Sequence, residues 1–371
     1  MKHLWRTAVA GFTHSRRGTS LIHSHTSRSR RHAVVALATA AALVFTGCTD
    51  PNGGDGASAE FPKAHGPRHA VLKNNNPETV VQNPRQHLPA KVKSWDGEDV
   101  TITDTSRIIG IDRPGTITRT IYSLGLGKSI IGRDKTADFP EAKNIPLVTT
   151  KAHVLNAEKM IAAHPSVVLV DVTVGPAAVL RQLRSMGIPV VYISPERSIK
   201  GVGTTITEIG KALGIDQKDI DKVIDHTKKE IDTATKRAQA MADGRRIAVL
   251  VIRGTNVAFI GGPGSGAPEL VEALGGVDVS KDAGLTQNFT PMTPEALAKA
   301  APDTVIVMSD GMKSAGGVDG VVSAPGVAQT PAGKNRSVVD ILDSALFSFG
   351  PGEGAIIDAL ADALYGKSAE K

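Results

Sequence analysis

One sixteen-residue pattern occurs twice in this chain, and the duplication limits its fold more than any other feature. Residues 155–170 read LNAEKMIAAHPSVVLV and residues 292–307 read MTPEALAKAAPDTVIV. At an offset of 137, Glu158 falls on Glu295, Pro165 on Pro302, and one apolar run on the other. Each copy sets a capping residue (Asn156 or Thr293) before a helical stretch, then a proline, then a buried-looking strand. A second pair precedes them: SLGLGKSIIGRD (123–134) is similar to EALGGVDVSKD (272–282), each closing a helix with Leu-Gly before a short strand. Two halves with the same alternation of strand and helix predict duplicated α/β lobes. Independent convergence on the same punctuation is the competing explanation.

Between the halves, residues 216–242 carry Ile220, Ile224, Thr227, Ile231, Ala234, Ala238 and Met241 at helical spacing. That is a helix of about 40 Å at a rise of ~1.5 Å per residue. A single long bridging helix acts as a stiff strut, limits hinge motion, and leaves the ligand cleft between the lobes.

The N-terminus reads as an export signal. Residues 1–32 hold seven basic side chains and no acid, and an apolar run follows over 33–47. Fifteen residues fall short of the ~20 needed to span a bilayer, so 1–47 is expected to be a signal peptide. Removing those seven from the 43 Lys+Arg leaves 36 against 37 Asp+Glu. The basicity therefore belongs to the leader, and no basic stripe points to nucleic acid. Cys48, the single cysteine, directly follows LVFTG and resembles the lipidated cysteine of a bacterial lipobox. With no second cysteine the body must hold itself by its core. Residues 48–105 are expected to be a polar tether, poor in apolar side chains, ending in a hairpin around Asp96-Gly97. The first lobe is then 106–205, the bridging segment 206–243 and the second lobe 244–371.

These features together resemble the rigid substrate-binding lipoproteins of metal-chelate ABC importers, which take up haem, cobalamin and ferric siderophores. Within that group TDTSRIIGID, IRGTNVAFIGGPGSGAPELVEALGGVDV, TPMTPEALAKAAPDTVIVM, GGVDGVVSAPGVAQTPAGKNRSVVD and LFSFGPGEGAIIDALADALYG resemble the actinobacterial haem-binding lipoproteins (HmuT-type). The resemblance covers nearly all of residues 106–366. It implies a monomeric protein, anchored by lipid outside the cytoplasmic membrane, that passes haem to an ABC permease and its ATPase.

In open α/β sheets, ligands bind outside the carboxyl ends of the strands. By that rule His153, after IPLVTT and before a helix, lies on the cleft edge, while His164, before a strand, lies on the far edge. His226, off the apolar stripe of the bridging helix, is expected in solvent. On the residues alone, His153 is either a ligand-holding residue or a loop histidine. The resemblance implies the haem iron ligand, because the family carries a histidine in this Leu-Asn-Ala-Glu setting. A neutral imidazole is a good donor to haem iron. The family's second ligand, a tyrosine two residues before an Arg-Gly pair, is replaced here by Val251. Tyr192, closing IPVVYI, and the Met292 thioether are the remaining candidates for a second ligand, with core packing the competing role for Met292. Tyr122 and Tyr365 read as core.

Arg113 and Arg253 end equivalent strands, where a guanidinium can pair with a carboxylate such as a haem propionate; surface salt bridges are the alternative. GGPGSGAPEL (261–270) lacks the ending of a phosphate loop and reads as a strand-to-helix turn with Ser265 or Gly266 near the cap. Its free N–H groups offer an anion site as the second reading. Glu158 and Glu295 suit the first turn of a helix for reasons of the helix dipole alone. The resemblance adds a role, since related importers dock one glutamate per lobe onto permease arginines. No nucleophile elbow, paired carboxylates or metal-type Cys/His cluster marks the cleft edges, so no catalysis is expected. A ferric siderophore or a corrinoid is the alternative ligand, favoured by Val251; a permease-independent haem carrier is a further possibility.

Overall fold

The computed structural model describes residues 66–150, 153–254 and 257–366. The expected leader, Cys48 and the start of the expected tether lie outside the described residues. Strand β1 (Arg68–His69) comes first, followed by β2 (Ala90–Lys93) and β3 (Asp99–Ile102), which pair antiparallel around Asp96-Gly97.

The first lobe runs β4 (Ile108–Ile111), α1 (Thr116–Ser123), β5 (Ile130–Gly132), α2 (Ala157–Ala162), β6 (Val167–Val170), α3 (Ala177–Ser185) and β7 (Val190–Tyr192). Its strands are parallel in the order β5-β4-β6-β7. Central strands β4 (IIGI) and β6 (VVLV) are buried at every residue. Parallel strands covered on both faces read as continuous apolar runs rather than alternating ones. Helices α4 (Val202–Ala212) and α5 (Gln217–Met241) lead to the second lobe.

That lobe runs β8 (Arg246–Arg253), β9 (Val257–Gly261), α6 (Ala267–Ala273), β10 (Val277–Asp278), β11 (Phe289–Pro291), α7 (Pro294–Ala300) and β12 (Thr304–Met308). It continues with α8 (Ser309–Ser314), α9 (Gly317–Ser323), α10 (Pro331–Lys334), β13 (Val338–Ile341) and α11 (Glu353–Tyr365). Its sheet follows β1-β13-β12-β8-β9-β11, with β10 also on β8. Strands β9 and β11 run antiparallel.

The duplication is visible at equivalent caps. Asn156 opens α2 by accepting from the Lys159 amide, and Thr293 opens α7 by accepting from the Ala296 amide. Helices α1 and α6 both close at a Leu-Gly whose glycine takes a positive φ, 86° at Gly125 and 72° at Gly275. The repeat breaks at β9 and β11, which the first lobe lacks. Between the lobes, α5 buries Ile220, Val223, Thr227, Ile231, Ala234 and Ala238. It packs along α4 and α11, in an apolar core that draws on both lobes. The 261–270 stretch is a closed turn: Ser265 donates to the Gly262 carbonyl and accepts from the Ala267 amide.

Two expectations need correction. The tether does not extend over the whole of 48–105, and the body does not begin at Ser106. Strand β1 pairs in parallel with β13, Ala70 and Val81 are buried, and the Val80 and Val81 amides donate to the Ser123 carbonyl. Main-chain pairing and two small anchors suffice where the composition lacks a hydrophobic run. His226 is not in open solvent either: Glu78 from this segment and Glu230 of α5 flank its ring.

Glu353, in the first turn of α11, is wholly buried and accepts from Ser348 Oγ at 3.3 Å. Burial outweighs that bond, the Phe349 amide and the Arg119 charge, and pushes its carboxyl up to about 8 from an ordinary 4.5. The folded protein thus holds this proton more tightly than the unfolded chain. Its stability contribution is complete below pH ~4.5 and falls as pH rises toward 8, by up to ~1.4 kcal/mol per pH unit. Glu353→Gln is expected to remove that slope. Urea unfolding of both proteins from pH 5 to 8 checks it, and equal slopes would refute it.

Candidate functional site

The carboxyl ends of β4, β5 and β6 carry Asp112, Asp134 and Asp171, and the loop holding His153 folds over this edge. Asp134 organises it. Its carboxylate accepts from His153 Nδ1 at 2.8 Å, from the Thr149 hydroxyl, and from the Thr136 amide at 3.0 Å. Burial pushes the Asp134 carboxyl up, but these bonds outweigh it and hold it at about 2. A carboxylate anchored on Nδ1 fixes the tautomer and turns Nε2 outward as the donor nitrogen. Nε2 has no hydrogen-bond partner among the described residues. His153 sits at φ 61°, a left-handed conformation that histidine tolerates better than most residues but that still costs roughly 1–3 kcal/mol. Hydrogen bonds from the His153 amide to Thr150 O and from the Thr150 amide to Val154 O hold the turn. The side chain is 13% exposed, while the adjacent Val154 stays 43% exposed.

Below this edge lies a buried ion cluster. Arg197 Nη2 reaches Asp171 at 3.1 Å and Asp112 at 3.4 Å, with both carboxylates fully buried. Asp112 also accepts from the Thr116 and Ile117 amides and so caps α1. Burial pushes Asp112 up to about 6 against the Arg197 charge. The cluster fixes the ends of the two central strands.

Arg253 ends β8 in the second lobe. Its Nη2 lies 3.5 Å from Asp343, and its Nη1 donates to the Ile252 carbonyl. The Arg253 side chain remains 49% exposed, enough to take a second anionic partner. Burial pushes Asp343 up against the Asp310 amide and the Arg253 and Lys135 cations. Lys135 is the neighbour of Asp134 in the first lobe. Ser344 Oγ donates to Asp138 at 2.9 Å across the same junction. The His153 edge and the Arg253 edge therefore meet at one place, although 100 positions separate them in the chain.

Arg113, two residues past β4, is exposed; its amide donates to Thr173 Oγ1, and its guanidinium makes no hydrogen bond among the described residues. Of the two candidate second ligands, Tyr192 is not brought to His153. Tyr192 is on β7 and Asp134 follows β5, at opposite edges of the four-stranded sheet, three strand spacings or about 14 Å apart. The Tyr192 ring instead lies under Arg184, beside the hairpin. Met292 packs into the apolar cluster of the second lobe. Val251 is partly buried against the main core. Glu158 and Glu295 are exposed in the first turns of α2 and α7. Sequence reasoning missed Asp134, the Asp138–Ser344 contact and Arg197; acids just past IIGI and VVLV were the available signal.

Comparison with known proteins follows the same lines. The profile of the family described as periplasmic binding protein matches residues 115–345. The crystal structure of the heme binding protein HmuT is similar at 34% identity and a TM-score of 0.76, over 82% of this chain and 98% of that one. Structures of HmuT with a histidine, a tyrosine or an arginine replaced by alanine align equally well. The ABC transporter substrate-binding lipoprotein YvrC of Bacillus subtilis (strain 168) is 25% identical over 282 residues, 75% of this chain and 86% of its own. The vitamin B12-binding protein of Vibrio campbellii is 32% identical over 95 residues, 25% of this chain and 34% of its own.

Proposed function

Because the chain belongs to the periplasmic binding protein family, we propose that it captures haem between its lobes and delivers it to an ABC permease. The observation that carries this reading is the meeting of the His153–Asp134 edge with the Arg253–Asp343 edge at the Asp138–Ser344 contact. A haem iron needs a fixed donor nitrogen, and its propionates need cations a few ångströms away. His153 Nε2 supplies the first, and Arg253 with Arg113 supplies the second. In HmuT the histidine and arginine replaced in the solved variants lie about a hundred residues apart, as His153 and Arg253 do. The tyrosine replaced there stands two before the arginine, the separation of Val251 from Arg253. In this reading His153 is the only iron ligand from the protein.

Val251 and the partial match to a vitamin B12-binding protein favour a corrinoid as the second reading. Titration of the purified protein with haemin, and separately with cyanocobalamin, distinguishes the two. Saturable haemin binding with a shifted Soret band and no response to cobalamin is expected; the reverse would overturn the haem reading.

We also propose that Cys48 carries the lipid anchor and that Glu158 and Glu295 dock one lobe each onto the permease. Both carboxylates are exposed and lie at equivalent helix starts, one per lobe. Reversing both charges (Glu158→Lys with Glu295→Lys) is expected to abolish haem-dependent uptake while haemin affinity stays within about twofold, because rim charges govern encounter rather than the pocket. Uptake that survives the double reversal would favour a carrier that needs no permease.

A further inference from the structure

Helix α5 presents His226 and Glu230 four residues apart, so both side chains leave the same face. Glu78, from the segment between β1 and β2, meets them there. His226 Nε2 lies 3.2 Å from Glu78 Oε2 and 3.4 Å from Glu230 Oε1. One ligand atom from each of the three residues falls within 4.8 Å of the others. Nε2 itself is buried and has no hydrogen-bond partner, so neither contact has hydrogen-bond geometry although two carboxylate oxygens are close. A histidinium pairing with one glutamate would aim its N–H at that oxygen. The observed spacing matches a different arrangement: two ligands of a tetrahedral zinc, each ~2.0–2.1 Å from the metal, stand about 3.3 Å apart.

We infer that Glu78, His226 and Glu230 form a site for a divalent transition-metal cation of the zinc type. One imidazole and two carboxylates suit zinc better than magnesium or calcium, which take all-oxygen shells of six or more ligands. Three protein ligands leave a fourth position to water. The site shares no residue with the His153 edge and does not depend on which ligand the cleft takes. Its effect is to clamp the segment before β2 onto the bridging helix.

The test is calorimetric titration of the full chain with zinc chloride, without haem, alongside His226→Ala, Glu230→Gln and His153→Ala. The expected result is saturable zinc binding, weakened at least about tenfold by either α5 substitution and retained in His153→Ala. Zinc should also raise the unfolding midpoint of the parent protein and not that of His226→Ala. The circular dichroism spectrum of His226→Ala should match the parent, which separates loss of zinc from loss of the fold. No saturable zinc binding, or binding untouched by His226→Ala, would overturn the site. Binding lost in His153→Ala would place the metal in the cleft and overturn it equally.

Discussion

Replacing His153 with alanine is expected to lower haemin affinity by about 100-fold or more, the largest effect of any single change at the cleft. Losing only an outer-shell partner of a metal ligand typically costs ~10–100-fold, and this substitution removes the donor atom itself. Asp134→Asn should fall in that lower range, because it leaves the imidazole present but no longer fixes Nδ1 as the protonated nitrogen. The order of effects matters more than their size. A loop histidine that merely packs against Asp134 would leave haemin affinity unchanged in both variants. Circular dichroism guards against misfolding: Asp134 keeps its bonds from Thr149 and Thr136 when His153 is removed. A loss under about threefold in His153→Ala would mean that the iron is held elsewhere.

The largest effect on stability is expected at Arg197. Its guanidinium, 6% exposed, is the cation between the fully buried Asp112 and Asp171. Removing one partner of a buried ion pair typically costs about 3–5 kcal/mol, because the charge left behind has neither water nor a counter-ion. A protein of ordinary stability has only ~5–15 kcal/mol in total. Arg197→Ala should therefore be close to unfolding at 37 °C. The defect should be relieved as pH falls: Asp112 is already pushed up to about 6 by burial with the arginine present, and protonation below that value removes the uncompensated charge. Arg197→Met combined with Asp112→Asn and Asp171→Asn should recover most of the loss, since a neutral cluster of similar volume has no ion to desolvate. Chemical denaturation at pH 5 and pH 7.5 measures both effects. A loss below about 1 kcal/mol at pH 7.5 would show that the cluster is not needed.

Much of this architecture is legible in the sequence because its signals are local. Caps at Asn156 and Thr293, Leu-Gly helix ends, and the apolar stripe of α5 each lie within one element. In the structure His153 lies beside Asp134 at a carboxyl strand end, whereas His164 precedes β6. What the sequence concealed depends on strand order and on contacts between distant residues. Tyr192 closes a strand at the right end of its sheet, but the order β5-β4-β6-β7 puts it at the edge opposite Asp134. The segment from residue 66 is too poor in apolar side chains for composition to predict its folding. Its main-chain pairing with β13 lies about 270 positions away and leaves no trace in apolar periodicity. The helical face of His226 alone points to solvent, and only the return of that segment sets Glu78 against it.

The central claim is that His153 holds the iron of a bound haem. Its most direct test is pulsed electron paramagnetic resonance on the ferric haem complex of protein labelled with nitrogen-15 at histidine. A nitrogen-15 coupling to the iron is expected in the parent protein and should disappear in His153→Ala. No histidine coupling in the parent, or a coupling that persists when His153 is alanine, would contradict it.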